Sequence, residues 1–377
     1  MNQKKKKTTT YQKDKTTWSE APFLMIKGFL MGSADIVPGV SGGTMALITG
    51  IYDRLIGAIR SFDTTSITHA LKFNVKKLFE YIHWRFLLLL LSGIFLAVLF
   101  FTRIVPLQIY MFTHPELIYG LFFGLIVGSI VLLIFEIDPN ERTKKILLPL
   151  VAGTLIGFWV VTLVPTDTSE SFLFVFLSGA IAITAMILPG ISGSYLLLIL
   201  RKYDYILSQL GALGGSETID AFLNLLPFGL GAIAGLMIFS RILSWLLKNY
   251  NTITIAVLIG FLIGSLYVIW PFQEREYQTV IKETEQFNVN SEVVQEIMNR
   301  NGVPNLPEYQ RLAESADPSS NGEVTVESIE RKMIKSQPFM PGISAQDESE
   351  VNLYEGTGGM GIGLILIFAI SYLRKHD

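Results

Sequence analysis

The sequence predicts an all-α integral membrane protein made of two inverted-topology repeats, each a re-entrant helical hairpin followed by three transmembrane helices. Three observations predict it. Half of the 377 residues are hydrophobic and only 16% are charged, against roughly a quarter charged in soluble domains. A block from Ala34 to Asp53, ADIVPGVSGGTMALITGIYD, recurs without a gap from Ala185 to Asp204 as AMILPGISGSYLLLILRKYD, with ten identical positions. Both copies lie among long apolar segments and carry a Pro-Gly break, the pattern of a transporter duplicated around a central site.

Taken in order, residues 1–20 form a basic tail whose polar start, MNQKKKKTTTYQKDK, is expected to be disordered and retained, because Lys27 interrupts the apolar run behind it. The first membrane repeat is assigned to residues 21–167. Its opening segment, Phe23 to Ile36, spans roughly 21 Å as a helix, too short for a hydrocarbon core of about 30 Å. Pro38 then removes a backbone donor and biases Val37 away from helix, while Gly39, Gly42 and Gly43 admit conformations closed to other residues. The chain resumes as Thr44 to Ile59. This is a helix, break, helix hairpin that returns to the side it entered from, and Phe172 to Leu210 repeats it around Pro189 and Gly190. Irregular backbone at membrane depth is tolerated where it is buried in protein or lines a cavity.

Six apolar stretches are long enough to cross, or nearly so: Phe86–Thr102, Leu117–Ile137, Ile146–Val164, Ala221–Phe239, Ile253–Ile269 and Gly358–Leu373. Basic residues cluster at Lys4–Lys7, from Arg60 to Arg85, at Arg142–Lys145 and at Arg374–Lys375, each a cytoplasmic signature. If the hairpins re-enter, each half crosses three times, an odd number, and the second half is inverted. All four clusters then fall inside with both termini, whereas hairpins that crossed once would put the cluster around Lys76 outside. Similarity runs past the hairpins: Phe101-Thr102-Arg103-Ile104 matches Phe239-Ser240-Arg241-Ile242, and Gly124, Gly128 and Ser129 match Gly260, Gly264 and Ser265.

The second repeat occupies residues 168–272 and ends with a last helix at 358–377. Between them, residues 273–357 form a polar insertion with sixteen acidic and seven basic residues over Gln273–Glu355. The topology puts it outside the cell, and Val289 to Asn299 reads as a short helix within it. Cysteine is absent, which excludes disulfides and thiolate metal sites. The four histidines show no metal spacing, so no metal and no cofactor is expected, nor any nucleic-acid partner.

With PGVSGGT after Ala34-Asp35, PGISGS in the second copy, and the pairs Tyr52-Asp53 and Tyr203-Asp204, the chain resembles the bacterial polyprenyl-phosphate transporters of the PopT type, formerly a domain of unknown function. The resemblance covers nearly everything except the tail and the insertion. It implies a multi-pass protein of the bacterial cytoplasmic membrane that returns undecaprenyl phosphate from the outer to the inner leaflet.

The residues suit that substrate. Phosphate needs several donors and positive potential, which a helix starting after a Gly-rich break supplies through free N–H groups. Ser41, Gly42, Gly43 and Thr44 begin one such helix and Ser192, Gly193 and Ser194 the other, with Pro38, Gly39, Pro189 and Gly190 shaping the tips. The same residues would also serve tight packing of broken helices. Arg103 and Arg241 stand toward the outer and inner ends of their spans, placed either to receive phosphate or to snorkel to headgroups. Asp35, opposite Met186 in the second copy, is a candidate for proton or cation coupling, or for a salt bridge or cap. Asp53 and Asp204 read as local anchors. Two alternatives stay open: an intramembrane undecaprenyl-diphosphate phosphatase, whose hydrolysis requires clustered Glu residues and an Arg in the loop, and a small-anion transporter.

Overall fold

The structure, a computed structural model, describes residues 16–37, 40–137, 139, 144–163, 168–215, 218–300, 302, 304–313, 323–341 and 351–375. Pro38, Gly39, the tail before residue 16, Arg142 and His376 lie outside the described residues. The chain divides into two compact units, residues 1–101 with 126–267 and 368–377, and residues 102–125 with 268–367.

The duplication is visible element by element. Helix α1 (Ala21–Ile36), α2 (Gly42–Ile48) and α3 (from Tyr52 to Arg60) are followed by α4 (Thr64–Leu71), α5 (Val75–Tyr81), α6 (Trp84–Arg103), α7 (Leu107–Thr113), α8 (Pro115–Glu136) and α9 (Lys144–Val161). The second copy supplies α10 (Phe172–Ile187), α11 (Gly193–Ile199) and α12 (from Tyr203 to Ala212), followed by α13 (Thr218–Asn249) and α14 (Asn251–Ile269). Both bounds of α1 and of α2, and the start of α3, recur 151 residues later in α10, α11 and α12. The kink after the short helix recurs as well, with Gly50 at φ 72° and Arg201 at φ 50°. A side chain at positive φ is uncommon, so Arg201 holds a shape that glycine takes without strain in the other copy.

Among the described residues, five helices are long and apolar enough to cross a bilayer: α6, α8, α13, α14 and α16 (Leu353–Lys375). The sixth expected stretch forms α9, whose apolar part Lys145–Val161 is shorter, reaching roughly 26 Å against a core of about 30 Å.

Close backbone approach holds these helices together, since lipid supplies no hydrophobic drive between them. A Cβ on Gly28 of α1 would lie 2.2 Å from the Leu90 carbonyl oxygen of α6, and one on Gly179 of α10 would lie 2.2 Å from that of Phe228 on α13. The closing helices change halves. In the second unit α16 packs on α8, where a Cβ on Gly124 would meet the Met360 carbonyl oxygen at 2.1 Å; in the first unit α9 packs on α14, where one on Gly260 would meet that of Leu150 at 2.4 Å. The matching glycines Gly124 and Gly260 thus both serve close packing.

Between the first hairpin and α6, Asp63 caps α4 by accepting from the Thr65 and Ser66 amides and takes the Tyr81 hydroxyl of α5 at 2.6 Å. Leu71, Phe73, Val75 and Phe79 are exposed here among Lys72, Lys76 and Lys77, the composition of a segment lying on anionic headgroups.

The second unit contains the insertion, which folds as a three-stranded antiparallel sheet of β1 (Gln273–Asn288), β2 (Glu308–Leu312) and β3 (Glu323–Pro338) in the order β1-β3-β2, with α15 (Glu292–Asn299) beside it. The membrane part is helical as expected, and the sheet is an addition that composition did not reveal. Val294, Val324 and Val326 form its small core with Phe287, Val289, Ile297 and Leu312. Edge strand β1 carries Glu274, Glu276, Lys282, Glu283 and Glu285, charges that discourage pairing with another chain. The sheet is bolted to α8: Arg275 pairs with Glu116 at 3.5 Å, the side chains being 7% and 10% exposed, and the guanidinium lies 4.9 Å from the Tyr119 ring centroid.

Candidate functional site

Each repeated block builds a break from local bonds. After α1 the backbone turns extended at Val37, and Ser41, also extended, caps α2 by accepting from the Gly43 amide at 3.1 Å. Asp35, in the last turn of α1, folds back so that the Gly42 amide donates to its Oδ1 at 2.6 Å. A Cβ on Gly42 would lie 2.5 Å from the other carboxylate oxygen, so the carboxylate requires glycine there. In the second copy Ser192 caps α11, accepting from Tyr195 at 3.4 Å, and its hydroxyl meets that of Ser194 at 2.9 Å. Pro189 and Gly190 form the turn, with Gly190 at φ 80°.

The two breaks meet. Ser41 Oγ donates to the carbonyls of Met186 at 3.1 Å and Leu188 at 3.3 Å, the Gly190 amide donates to Thr44 Oγ1 at 3.0 Å, and the Tyr52 hydroxyl donates to the Ile187 carbonyl at 3.1 Å. Ser41 is 1% exposed and Thr44 fully buried, so these bonds satisfy groups that burial would otherwise penalise. The contact is tight: a Cβ on Gly43 would stand 2.4 Å from the Ile187 carbonyl oxygen. The structure therefore brings Ser41, Gly43, Thr44 and Gly190 to one place, as a clasp between the halves.

Donors expected to await an anion at the first tip already have protein acceptors. Ser41 Oγ gives its proton to Met186, the Gly42 amide to Asp35, the Gly43 amide to Ser41 Oγ and the Thr44 amide to the Ser41 carbonyl. Asp35 occupies the position an anionic ligand would take on Gly42, and Met186, its counterpart, has no carboxylate to do the same at Gly193.

Among the described residues Arg241 makes no hydrogen bond to the clasp. Arg241 donates to the Met237 carbonyl of its own helix at 2.6 Å. Arg103 ends α6 exposed, with no hydrogen-bond partner among the described residues. Sequence reasoning missed Lys202. It is 1% exposed, donates to the Thr168 carbonyl at 3.3 Å and faces the rings of Tyr205 and Phe174 at 5.5 and 5.8 Å. No carboxylate pairs with it among the described residues. The first half uses a compensated cation for the comparable task of tying hairpin entry to exit: Arg54 binds Glu20 at 2.9 Å and Thr16 at 2.8 Å and lies over the Phe86 ring. Burial raises Glu20, but the Thr17 amide and Arg54 outweigh it and hold its carboxyl below the usual range. The signal for Lys202 was present, since the second block reads Arg201-Lys202 where the first reads Gly50-Ile51. Among the described residues no group of three or more His, Asp or Glu side chains is gathered as metal ligands would be.

A family model described as VCA0040-like, undecaprenyl phosphate translocase-like, matches residues 31–287. The chain belongs to this family. The matched stretch takes in both tips, Asp35, Lys202 and every helix from α2 to α14, and ends within β1. A polyprenyl-phosphate transporter of Vibrio cholerae serotype O1 is 39% identical over 249 residues, covering 66% of this chain and 77% of that protein. One of Staphylococcus aureus strain NCTC 8325 is 32% identical over 263 residues, covering 66% of this chain and 85% of that protein. No solved structure matches.

Proposed function

We propose that this protein is a flippase that returns undecaprenyl phosphate from the outer to the inner leaflet of the bacterial cytoplasmic membrane, passing its phosphate across the clasped tips. The observation that carries the reading is the clasp, in which glycine- and hydroxyl-rich breaks of two duplicated halves meet within the stretch matching the translocase family. The names of the two relatives support the substrate class.

Moving a bare phosphate through hydrocarbon is prohibitive, so protein groups must replace its hydration throughout. The tips offer the Ser41, Thr44, Ser192 and Ser194 hydroxyls and the amides of Gly42, Gly43 and Gly193, with Arg103 toward the outer end and Arg241 toward the inner end. Because Asp35 holds the Gly42 amide, phosphate and carboxylate compete for one donor. Loading phosphate expels the carboxylate, and a proton on Asp35 assists; this is the coupling we assign to it. Exchange of the cross-tip bonds frees one half to rock against the other, as inverted repeats do. The hairpins are re-entrant in this reading, α9 supplies the sixth crossing, and both termini are cytoplasmic.

Vesicles of known orientation, assayed for leaflet exchange of labelled undecaprenyl phosphate, test the proposal. The parent should exchange it, and Asp35→Asn, which keeps an acceptor for Gly42 but cannot take up or release a proton, should exchange without response to an imposed proton gradient. No exchange by the parent refutes the transporter reading; hydrolysis of undecaprenyl diphosphate by the parent would replace it with the phosphatase.

A further inference from the structure

Asp53 closes the first repeated block, next to Tyr52 of the clasp, yet takes no part in it. With Ile56 of α3 it lines a cleft of about 200 Å³ whose other wall is Ser244, Leu247 and Lys248 of α13. Arg60, two turns along α3, reaches over to donate Nη1 to Ser244 Oγ at 3.0 Å. Asp53 and Lys248 carry opposite charges into the same cleft, but among the described residues neither forms an ion pair or a hydrogen bond. Two opposed charges that line one cleft without bridging leave room for something between them.

The surroundings give the depth. Trp245 and Tyr250, on either side of Lys248, are exposed and pack edge to face at 5.4 Å, and such rings gather at headgroup level. Ile238 and Ile242, a turn or more before Trp245, are exposed as well, extending an apolar track along α13 away from the cleft.

We infer that this cleft is a headgroup site for a lipid phosphate monoester, where Lys248, Arg60 and Ser244 hold the phosphate oxygens and Asp53 accepts the phosphate's own P–OH. The inference rests on the reading of the chain as a lipid-phosphate carrier. An ionised carboxylate is an acceptor only, so it demands a ligand that brings a proton. A phosphate monoester, with a second pKa near 6, retains a P–OH in its monoanion. The phosphodiesters that make up bulk membrane lipid have none and meet Asp53 as like charge. The site thus selects a minor monoester lipid from an excess of diesters, on the side that the basic clusters assign to the cytoplasm.

The test uses the full chain in nanodiscs and measures binding of a short-chain polyprenyl monophosphate, phosphatidic acid as a second monoester, phosphatidylglycerol as the diester, and inorganic phosphate. Both lipid monoesters should bind at least tenfold more tightly than the diester or inorganic phosphate. Asp53→Asn should shrink the monoester-to-diester ratio about tenfold, and Lys248→Gln should weaken both monoesters about tenfold, with Lys248→Arg restoring them. Both residues are exposed, and unchanged thermal unfolding confirms intact variants. If polyprenyl monophosphate binds parent and variants alike with an unchanged ratio, the cleft is refuted while the transporter reading stands. If phosphatidic acid follows the expected pattern and polyprenyl monophosphate does not bind, the cleft stands and the transporter reading falls. Inorganic phosphate binding as tightly as the lipids would overturn the lipid site in favour of a free-anion site.

Discussion

The Ser41 hydroxyl donates to the Met186 carbonyl at 3.1 Å, joining the first break of the chain to the second across 145 residues. Ser41→Ala removes that bond together with the cap on the Gly43 amide. A lost bond that strands a buried partner costs about 1–3 kcal/mol, and thermal unfolding of the purified variant should register a loss of that size. Thr44→Val strands the Gly190 amide instead, and hydrogen exchange at Gly190 should accelerate. Unaltered exchange there would mean that Thr44 does not hold it.

Lys202 and Arg54 should respond oppositely to removal of charge. Lys202 is buried without a carboxylate, so Lys202→Met exchanges a costly cation for an apolar chain and should leave the melting temperature unchanged or raised. Arg54→Met strands Glu20 and Thr16 and should lower it. If Lys202 instead helps capture phosphate, the same stable Lys202→Met protein should exchange labelled lipid more slowly. A large fall in its melting temperature would mark the residue as a structural tether to Thr168.

Breaking the pair that fixes the sheet to α8 should be expensive. Arg275 and Glu116 are nearly buried, and Arg275 also donates to the carbonyls of Pro271 and Gln273. Removing one partner of a buried pair typically costs about 3–5 kcal/mol. Arg275→Ala should therefore make residues 273–338 sensitive to protease at temperatures where the parent resists, and Arg275→Lys should recover only part of the protection, because ammonium lacks the planar fork.

Acid should loosen the α4–α5 segment only at low pH. Burial pushes Asp63 up, but hydrogen bonds from Tyr81, Ser66 and Thr65 outweigh it and hold its carboxyl below the ordinary range. A depressed folded-state value means stability that is complete above the unfolded value, about 3.9, and is lost as pH falls through the folded one. Exchange at the Thr65 and Ser66 amides should rise only on acidification into that region, and Asp63→Asn should abolish the dependence. A rise beginning near neutrality would point to another group.

Local chemistry left its mark in the residue order. Duplication was legible because Ala34–Asp53 and Ala185–Asp204 share letters at matching places, and the breaks were legible because proline and glycine act on their own backbone. The left-handed turn at Arg201 was half legible, since only its copy carries glycine, at Gly50. Helix positions followed from apolar runs, although α13 continues past the expected Phe239 to Asn249, and the matching glycines at Gly124 and Gly260 did not name what would touch them.

By itself, then, the sequence determined the two halves, the positions of their breaks and the apolar helices, all set by interactions within a few residues. Tertiary structure alone decided that Asp35 would occupy the Gly42 amide, that Ser41 and Thr44 would bond the other tip, that α9 and α16 would change halves, and that the acidic insertion would form a sheet. The reason is physical: a carbonyl accepts from any donor and a glycine face admits any backbone, so a residue's type states what it needs but not which distant partner supplies it. Only the packed chain, satisfying every buried polar group at once, selects among them.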